Sequence, residues 1–255
     1  MTDLAVDAAL AADVVREAGH LARELRARGL RVDTKTSVSD VVTAADHAAE
    51  RLVVDHLTSW RPDDGILGEE GNQRPSASGR TWVIDPVDGT YNFVNGLGWW
   101  CSAVALVEDD EPIVGAVYHP DADALYVGGP GLPTTRNGEP IGPLPDVELA
   151  RTCAATYLHP PLFGSAVGEA FDRAVGGAAT LRMLGSASLD LAAIAQGQLG
   201  VFVQHSVSPW DWFPSTALVR GAGGAARRTT AAGVEWSVAG APTAVDQVCA
   251  ALEGY

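Results

Sequence analysis

Apolar residues near the start of the chain recur every three or four positions and predict a long amphipathic helix. The positions concerned are Val6, Leu10, Val14, Ala18, Leu21 and Leu25. We place this helix over about residues 3–28, with Gly29 as its end, because glycine is favoured just past a helix terminus. A second helix is predicted from Thr43 or Ala44 onwards, and the Pro- and Gly-containing loop at 61–65 ends it.

Shorter apolar runs separated by turn residues predict strands in the middle of the chain. Ile66–Leu67 and Trp82–Ile84 are two such runs. Three further runs at 101–107, 113–118 and 124–127 are separated by polar turns, which is typical of an antiparallel meander. Asn137-Gly138 marks another tight turn.

Strands and helices alternate in the second half of the chain. Strands are predicted at 152–156, 180–184 and 199–204, and helices at 165–175, 186–196, from about 210, and at 241–252. The stretch at 138–145 is rich in proline and glycine, so we divide the chain into an α+β half at 1–142 and an α/β half at 143–255. This order predicts a mixed α/β protein, one compact unit of stacked sheets and helices.

Composition narrows the possible partners and the compartment. The 255 residues carry a formal net charge of −15, which disfavours nucleic acids and anionic membrane surfaces as partners. Three widely spaced cysteines (Cys101, Cys153 and Cys249) fit the reducing cytoplasm. We expect no signal peptide, since the amino terminus has no basic start followed by an apolar stretch, and no membrane-spanning run.

Two acidic residues directly after a buried strand are the strongest chemical signal. Asp85 and Asp88 follow the apolar run Trp82–Ile84, with Pro86 between them and Gly89 after them. Two carboxylates held this close repel each other unless a cation lies between them. Oxygen ligands of this kind suit Mg²⁺, which also pairs with phosphate substrates. The motif therefore predicts a magnesium site.

Other acids stand where loops meet regular elements, namely Asp46, Glu69 and Asp211. Taken singly, Asp46 and Asp211 could be acids that complement the dipole at a helix start. Glu69, together with Glu70, could belong to a solvated loop. Their joint occurrence around the Asp85/Asp88 pair favours a shared site.

In this combination the chain resembles the inositol monophosphatase family. The motifs that carry the resemblance are Gly68-Glu69-Glu70, the segment Asp85 to Thr90, and Trp210-Asp211. It covers nearly the whole chain, including Lys35 and the segments 40–46 and 182–187. The resemblance implies a layered αβαβα sandwich of the inositol monophosphatase and fructose-1,6-bisphosphatase type. It further implies a Mg²⁺-dependent, lithium-sensitive phosphatase that acts as a homodimer on a small phosphorylated metabolite.

The resemblance also implies a set of metal ligands. Glu69, Asp85 and the backbone carbonyl of Val87 would hold one Mg²⁺. Asp85, Asp88 and Asp211 would hold a second, with Asp85 bridging the two ions. Glu69 and water could hold a weaker third.

Catalytic and substrate-binding roles follow from the same resemblance. The implied catalytic residues are Asp46, Thr90 and Glu69, with Thr90 and Asp46 as a hydrogen-bonded pair that orients and activates the attacking water. The implied substrate-binding residues are Gly89, Thr90, Ser186, Gln204 and Asp211. The backbone N–H groups of Gly89 and Thr90 would grip the phosphate.

The substrate is less well defined than the reaction. Inositol-specific members carry a glutamate seven residues before the Trp-Asp aspartate, where this chain has Gln204. A glutamine can hydrogen-bond a hydroxyl but offers no charge. Inositol 1-phosphate is the leading substrate, and the alternatives are histidinol phosphate, fructose 1,6-bisphosphate and a 3′-phosphoadenosine nucleotide. A relative without catalytic activity that binds metal or a partner is a further alternative.

Overall fold

A computed structural model describes residues 4–29, 32–34 and 41–254. The predicted Lys35 and Asp40 lie outside these residues. The first half contains α1 (Leu4–Ala27), β1 (Val32–Thr34), β2 (Val41–Thr43), α2 (Ala44–Trp60), β3 (Gly65–Gly68), β4 (Gln73–Arg74), β5 (Arg80–Asp88), α3 (Thr90–Val94), β6 (Cys101–Glu108), β7 (Glu111–His119), β8 (Ala124–Gly129), β9 (Leu132–Arg136) and β10 (Glu139–Pro140). The long first helix, the second helix and the meander are confirmed.

The second half alternates strands and helices, as predicted. It contains β11 (Cys153–Thr156), α4 (Ala166–Val175), β12 (Thr180–Arg182), α5 (Ala187–Ala195), β13 (Val201–His205), α6 (Pro209–Gly221), β14 (Ala225–Ala231), β15 (Val234–Gly240) and α7 (Pro242–Glu253). Several helices begin with recognisable caps. The hydroxyl of Ser186 caps α5, and Thr43 caps α2 in a reciprocal arrangement with Asp46.

The strands form two large sheets besides the small β1–β2 pair. The larger sheet has the order β10-β9-β8-β7-β6-β5-β3-β4. In it β3 and β5 run parallel, whereas β5, β6, β7 and β8 form the antiparallel meander. The smaller sheet has the order β12-β11-β13-β15-β14, with its first three strands parallel.

Helices cover both faces of both sheets, which produces five layers. α1 and α2 pack on one face of the larger sheet, around Val14 and Trp82. α5 and α6 fill the space between the sheets, around Leu191 and Phe202. α4 and α7 cover the outer face of the smaller sheet, around Trp236. The predicted αβαβα sandwich is confirmed.

Strand boundaries differ from the prediction at several places. β5 continues beyond the apolar run through Asp85 to Asp88, with a register shift against β6 between these two residues. The strand predicted at 180–184 ends at Arg182. No strand is predicted at β15, although Val234, Trp236 and Val238 alternate with polar residues there, which is a period-two signal typical of a strand.

The predicted boundary between residues 142 and 143 falls between β10, which ends the larger sheet, and β11, which begins the smaller one. α6, from the second half, packs across the larger sheet, so the two halves share one core. The division into halves stays a prediction. No helix among the described residues is both long enough and apolar enough to cross a membrane.

Candidate metal and phosphate site

The end of β5 supplies two of the acids. Asp85 and Asp88 are 1 % and 6 % exposed, respectively. The N–H of Val87 donates to Oδ1 of Asp85 at 3.1 Å, so the chain folds back on this carboxylate within the irregular end of the strand. Gly89 then turns the chain with a φ of 87°, a left-handed conformation that favours glycine, and α3 begins at Thr90.

Asp211 joins these acids from the first turn of α6. Ser208 precedes the helix, and Pro209 occupies its first turn, where a missing N–H costs nothing. Asp211 is partly buried, and one carboxylate oxygen from each of Asp85, Asp88 and Asp211 lies within 4.8 Å of the others. The structure therefore brings together residues that are more than 120 positions apart in the chain, as predicted.

Glu69 lies beside Asp85 at the end of the neighbouring parallel strand. Its N–H donates to the carbonyl of Ile84 at 3.1 Å, which fixes its backbone next to the residue before Asp85. The Glu69 carboxyl contacts Asp85 closely enough for its charge and hydrogen bond to raise the pKa of Asp85. Glu69 is thus placed with the predicted cluster.

Electrostatics at this cluster favour a bound cation. Burial raises the pKa of Asp85 well above its usual value, and the neighbouring acids raise it further. Burial also raises the pKa of Asp88, although hydrogen bonds from Ser186 and Ser188 oppose that shift. A divalent cation reverses this unfavourable balance, and three carboxylates that present oxygens to one point are the ligands Mg²⁺ prefers. The residues present therefore fit the predicted ion.

Ser186 and the start of α5 hold Asp88 in place. The Ser186 hydroxyl donates to Oδ2 of Asp88 at 2.8 Å, and the N–H of Ser188 donates to the same oxygen at 2.6 Å. Ser186 is buried, and its predicted contact with the substrate stays a prediction.

Asp46 and Thr90 form the predicted pair next to the cluster. The Thr90 hydroxyl lies 3.2 Å from Oδ1 of Asp46 and 2.8 Å from the carbonyl oxygen of Val87. Asp46 is the third residue of α2, where its Oδ2 accepts the N–H of Thr43 at 3.0 Å. Burial, helped by the charge of Glu70, raises the pKa of Asp46 to about 6. The two side chains therefore lie within hydrogen-bond distance of each other, and their role stays a prediction.

The remaining predicted residues surround this arrangement at different depths. Gly89 is closely confined, since a Cβ there would lie 3.0 Å from the carbonyl oxygen of Trp99 and 3.1 Å from that of Gly185. The carbonyl oxygen of Val87 lies 2.8 Å from the Thr90 hydroxyl, beside the acidic cluster. Gln204 is partly exposed at the carboxyl end of β13, and its role stays a prediction.

Asp190 is a neighbour of the site to which the sequence does not point, and it is hydrogen-bonded to Trp99. The indole N–H of Trp99 donates to Oδ1 of Asp190 at 2.9 Å, and burial raises the pKa of this carboxyl to about 8. Asp190 sits in the first turn of α5, where an acid is ordinary in a sequence. Trp99 lies 91 positions earlier, so no local pattern joins the two.

These raised pKa values predict how the stability of the metal-free protein depends on pH. In the folded state Asp46 and Asp190 have pKa values of about 6 and about 8, whereas the ordinary pKa of an aspartate is 3.8. Between these values the folded protein binds protons that the unfolded chain has released. The free energy of unfolding should therefore fall as pH rises through this window. We expect the melting temperature in EDTA to decrease from about pH 5 to about pH 8, as differential scanning calorimetry can measure.

Saturating Mg²⁺ should raise the melting temperature more at the upper end of that range, because there it competes with fewer protons. Asp190→Asn serves as the control, since it should make the decrease smaller and leave the parts due to Asp46, Asp85 and Asp88. A melting temperature that rises with pH in EDTA contradicts this electrostatic description.

Three comparisons with known proteins show what the sequence and the fold are similar to. The sequence matches the model of the "Inositol monophosphatase family" over residues 3–251. It is 33% identical over 211 residues to the fructose-1,6-bisphosphatase/inositol-1-monophosphatase of Thermotoga maritima, covering 83% of this chain and 80% of that protein. It is 33% identical over 248 residues to the inositol-1-monophosphatase of Mycobacterium leprae, covering 90% and 84%. The solved inositol monophosphatase of Anabaena has a TM-score of 0.84 and 27% identity, covering 99% of this chain and 97% of that one.

Proposed function

Because the chain belongs to the inositol monophosphatase family, we propose that it hydrolyses a small phosphate monoester with the help of Mg²⁺. Its relatives are named inositol-1-monophosphatase, so the chain is an enzyme of the phosphoric monoester hydrolase class. The observation that carries the proposal is the convergence of Asp85, Asp88 and Asp211 within 4.8 Å. A buried acidic cluster of this kind binds a phosphate ester only when cations neutralise it.

Two or three ions are proposed, with the ligands that the sequence implied. Glu69, Asp85 and the Val87 carbonyl would hold one ion, and Asp85, Asp88 and Asp211 the second. Bound there, Mg²⁺ neutralises phosphate charge and lowers the pKa of a coordinated water. The distances from Glu69 to Ile84 and from Asp88 to Ser186 and Ser188 support this assignment, since they hold two ligands rigidly.

Thr90 and Asp46 are proposed to orient the attacking water. The Thr90 hydroxyl can accept a hydrogen bond from water while it donates to Asp46, and Asp46 can take up the proton that is released. Gly89 and Thr90 would present backbone N–H groups to the phosphate. The close approach of Trp99 and Gly185 to Gly89 supports this, because a side chain there would close the space.

Inositol 1-phosphate is the proposed substrate, and a sugar bisphosphate is the second candidate. One relative carries both activities in its name, fructose-1,6-bisphosphatase and inositol-1-monophosphatase. Histidinol phosphate and a 3′-phosphoadenosine nucleotide complete the set to be tested. We also propose a cytoplasmic homodimer, whose mass in solution would be twice the 26.5 kDa of the chain.

A phosphate-release assay tests the proposal. Purified protein is given each of these esters with saturating Mg²⁺ and, separately, with EDTA. We expect inositol 1-phosphate to have the highest kcat/KM and release to cease in EDTA. Absence of release from every ester with Mg²⁺ would favour the alternative of a non-catalytic relative that binds metal or a partner.

Gln204 is predicted to contact a hydroxyl of the sugar or inositol ring. Gln204→Ala should lower kcat/KM for inositol 1-phosphate about fivefold, the equivalent of one neutral hydrogen bond. It should leave kcat/KM for p-nitrophenyl phosphate unchanged, since that ester has no ring hydroxyls. Gln198→Ala, an exposed glutamine before β13, is the matched control. An equal loss for both esters, or no loss for either, argues against this role.

A further inference from the structure

Glu50 is a fully buried carboxylate that the candidate chemistry does not use. It lies on α2, four residues after Asp46, and therefore on the same face of that helix. Among the described residues, no cationic side chain forms an ion pair with it. Burying an ionised carboxylate costs free energy unless hydrogen bonds replace those it made to water. The hydrogen-bond partners of Glu50 therefore indicate its role.

Within the described part of the chain, the hydrogen bonds to the Glu50 carboxylate all come from the turn that follows β3. The N–H of Glu70 donates to Oε2 at 2.8 Å. The N–H and the side-chain amide of Asn72 both donate to Oε1, at 3.1 Å and 2.7 Å. Glu69, the candidate metal ligand and catalytic residue, is the residue immediately before the first of these donors. The Glu50 carboxylate is thus hydrogen-bonded to the part of the turn that directly follows Glu69.

The turn and the carboxylate are in direct contact at Gly68. A Cβ at this position would lie 2.5 to 2.6 Å from the carboxyl atoms of Glu50, so only glycine permits the approach. The turn also closes on itself, because the N–H of Gly68 donates to the carbonyl of Asn72 at 2.8 Å. Glu69 is therefore fixed on both sides, by Ile84 through its own N–H and by Glu50 through the next N–H.

We propose that Glu50 is a positioning residue that holds the 68–72 turn so that the Glu69 carboxylate meets Asp85. This role rests on the proposed function, since it concerns a ligand of the proposed metal site. One face of α2 then positions two other residues of the site. Asp46 fixes Thr90, and Glu50 fixes Glu69. Because Asp46 and Glu50 are four residues apart on one helix, that helix determines where the proton acceptor Asp46 lies relative to the ligand Glu69.

Glu50→Gln tests this role with a change of one atom. The glutamine oxygen can replace Oε1 and keep both bonds from Asn72, but its NH₂ group then faces the N–H of Glu70, donor against donor. The turn then loses the hydrogen bond from the Glu70 N–H, next to Glu69, and keeps the bonds from Asn72. Replacing a group that orients a metal ligand typically weakens metal binding about 10- to 100-fold.

Mn²⁺ is the probe, and electron paramagnetic resonance of the free ion measures its binding without any turnover. We expect Glu50→Gln to weaken the site that includes Glu69 at least tenfold and to leave the Asp88/Asp211 site near its wild-type affinity. In the phosphate-release assay the Mg²⁺ concentration for half-activation should rise by a similar factor, whereas KM for the ester at saturating Mg²⁺ should not change. Excess Mg²⁺ should restore most of kcat.

Asp7→Asn is the matched control. Asp7 is also a fully buried carboxylate on the helical layer, but it accepts hydrogen bonds from Arg61 and Arg80. Arg80 begins β5, five residues before Asp85, so this network lies roughly 16 Å from the cluster. Asp7→Asn should lower the melting temperature and leave Mn²⁺ affinity unchanged, which separates lost stability from lost positioning.

Asn72→Ala provides a second variant on a partly exposed turn, where folding is not at risk. It removes one donor to Glu50 and should weaken the same Mn²⁺ site about threefold, the smaller effect of one lost bond. Wild-type affinity in Glu50→Gln, or equal weakening in Asp7→Asn, overturns the positioning role alone. A wild-type protein that neither binds Mn²⁺ nor releases phosphate overturns the proposed function and this role together.

Discussion

Asp85→Asn should lower kcat for phosphate release by about 10³-fold and, in the same protein, raise the melting temperature measured in EDTA. Asp85 is the proposed ligand of both ions, so a neutral amide there weakens the whole site. A loss of about 4 kcal/mol in stabilisation of the transition state corresponds to this factor. Stability changes in the opposite direction because Asp85 is buried against Glu69, Asp88 and Asp211.

Because kcat and melting temperature are expected to change in opposite directions, this prediction is stringent. A mutation that merely disturbs the fold lowers both activity and melting temperature, whereas removal of a repelling charge raises the melting temperature. Each kcal/mol of added stability corresponds to about 2–4 °C in a chain of this size. Asp110→Asn, at the exposed turn between β6 and β7, is the matched control and should change neither quantity. Wild-type turnover in Asp85→Asn contradicts its assignment as a ligand.

Arg80→Met should produce the largest loss of stability, about 3–5 kcal/mol. The Arg80 guanidinium donates to Asp7 at 2.8 Å and to Asp64 at 2.9 Å, and both acids are buried. Asp64 also accepts the indole N–H of Trp82 at 3.0 Å. Without the guanidinium, the buried carboxylates of Asp7 and Asp64 each lose a charged donor, and the contact between α1 and the start of β5 weakens.

Urea unfolding in the presence of Mg²⁺ measures this loss, which corresponds to a decrease in melting temperature of roughly 10 °C. The kcat of the folded fraction should stay near wild type, because Arg80 lies at the opposite end of β5 from the acidic cluster. Arg28→Met removes an exposed ion pair with Glu24 and should cost less than about 0.5 kcal/mol. If Arg80→Met costs no more than Arg28→Met, the buried network does not stabilise the fold as described.

Local sequence signals were sufficient for the first two helices and for the strand that supplies two acids of the site. The recurrence from Val6 to Leu25 located α1, and Thr43 marked the start of α2. The apolar run Trp82–Ile84 located the strand that delivers Asp85. These features are readable because each depends on neighbours within a few residues, where side-chain spacing and backbone geometry are directly linked.

Contacts between distant segments could not be read in this way. Glu50 meets Asn72 across 22 positions, and Ser186 meets Asp88 across 98. In the sequence, Glu50 looks like an ordinary polar residue of a helix. Its contacts with the 68–72 turn become visible only when α2 packs against that turn. The irregular end of β5 is similar, because Pro86 suggests a turn whereas pairing with β6 resumes at Asp88.

Crystals grown with Mn²⁺, measured near the manganese absorption edge, test the central claim most directly. We expect at least two anomalous peaks, each within about 2.4 Å of a carboxylate oxygen, with Asp85 shared between them and Asp211 in contact with one. Saturated crystals without a peak between Asp85, Asp88 and Asp211 would contradict the account, since the cluster would then not be a cation site.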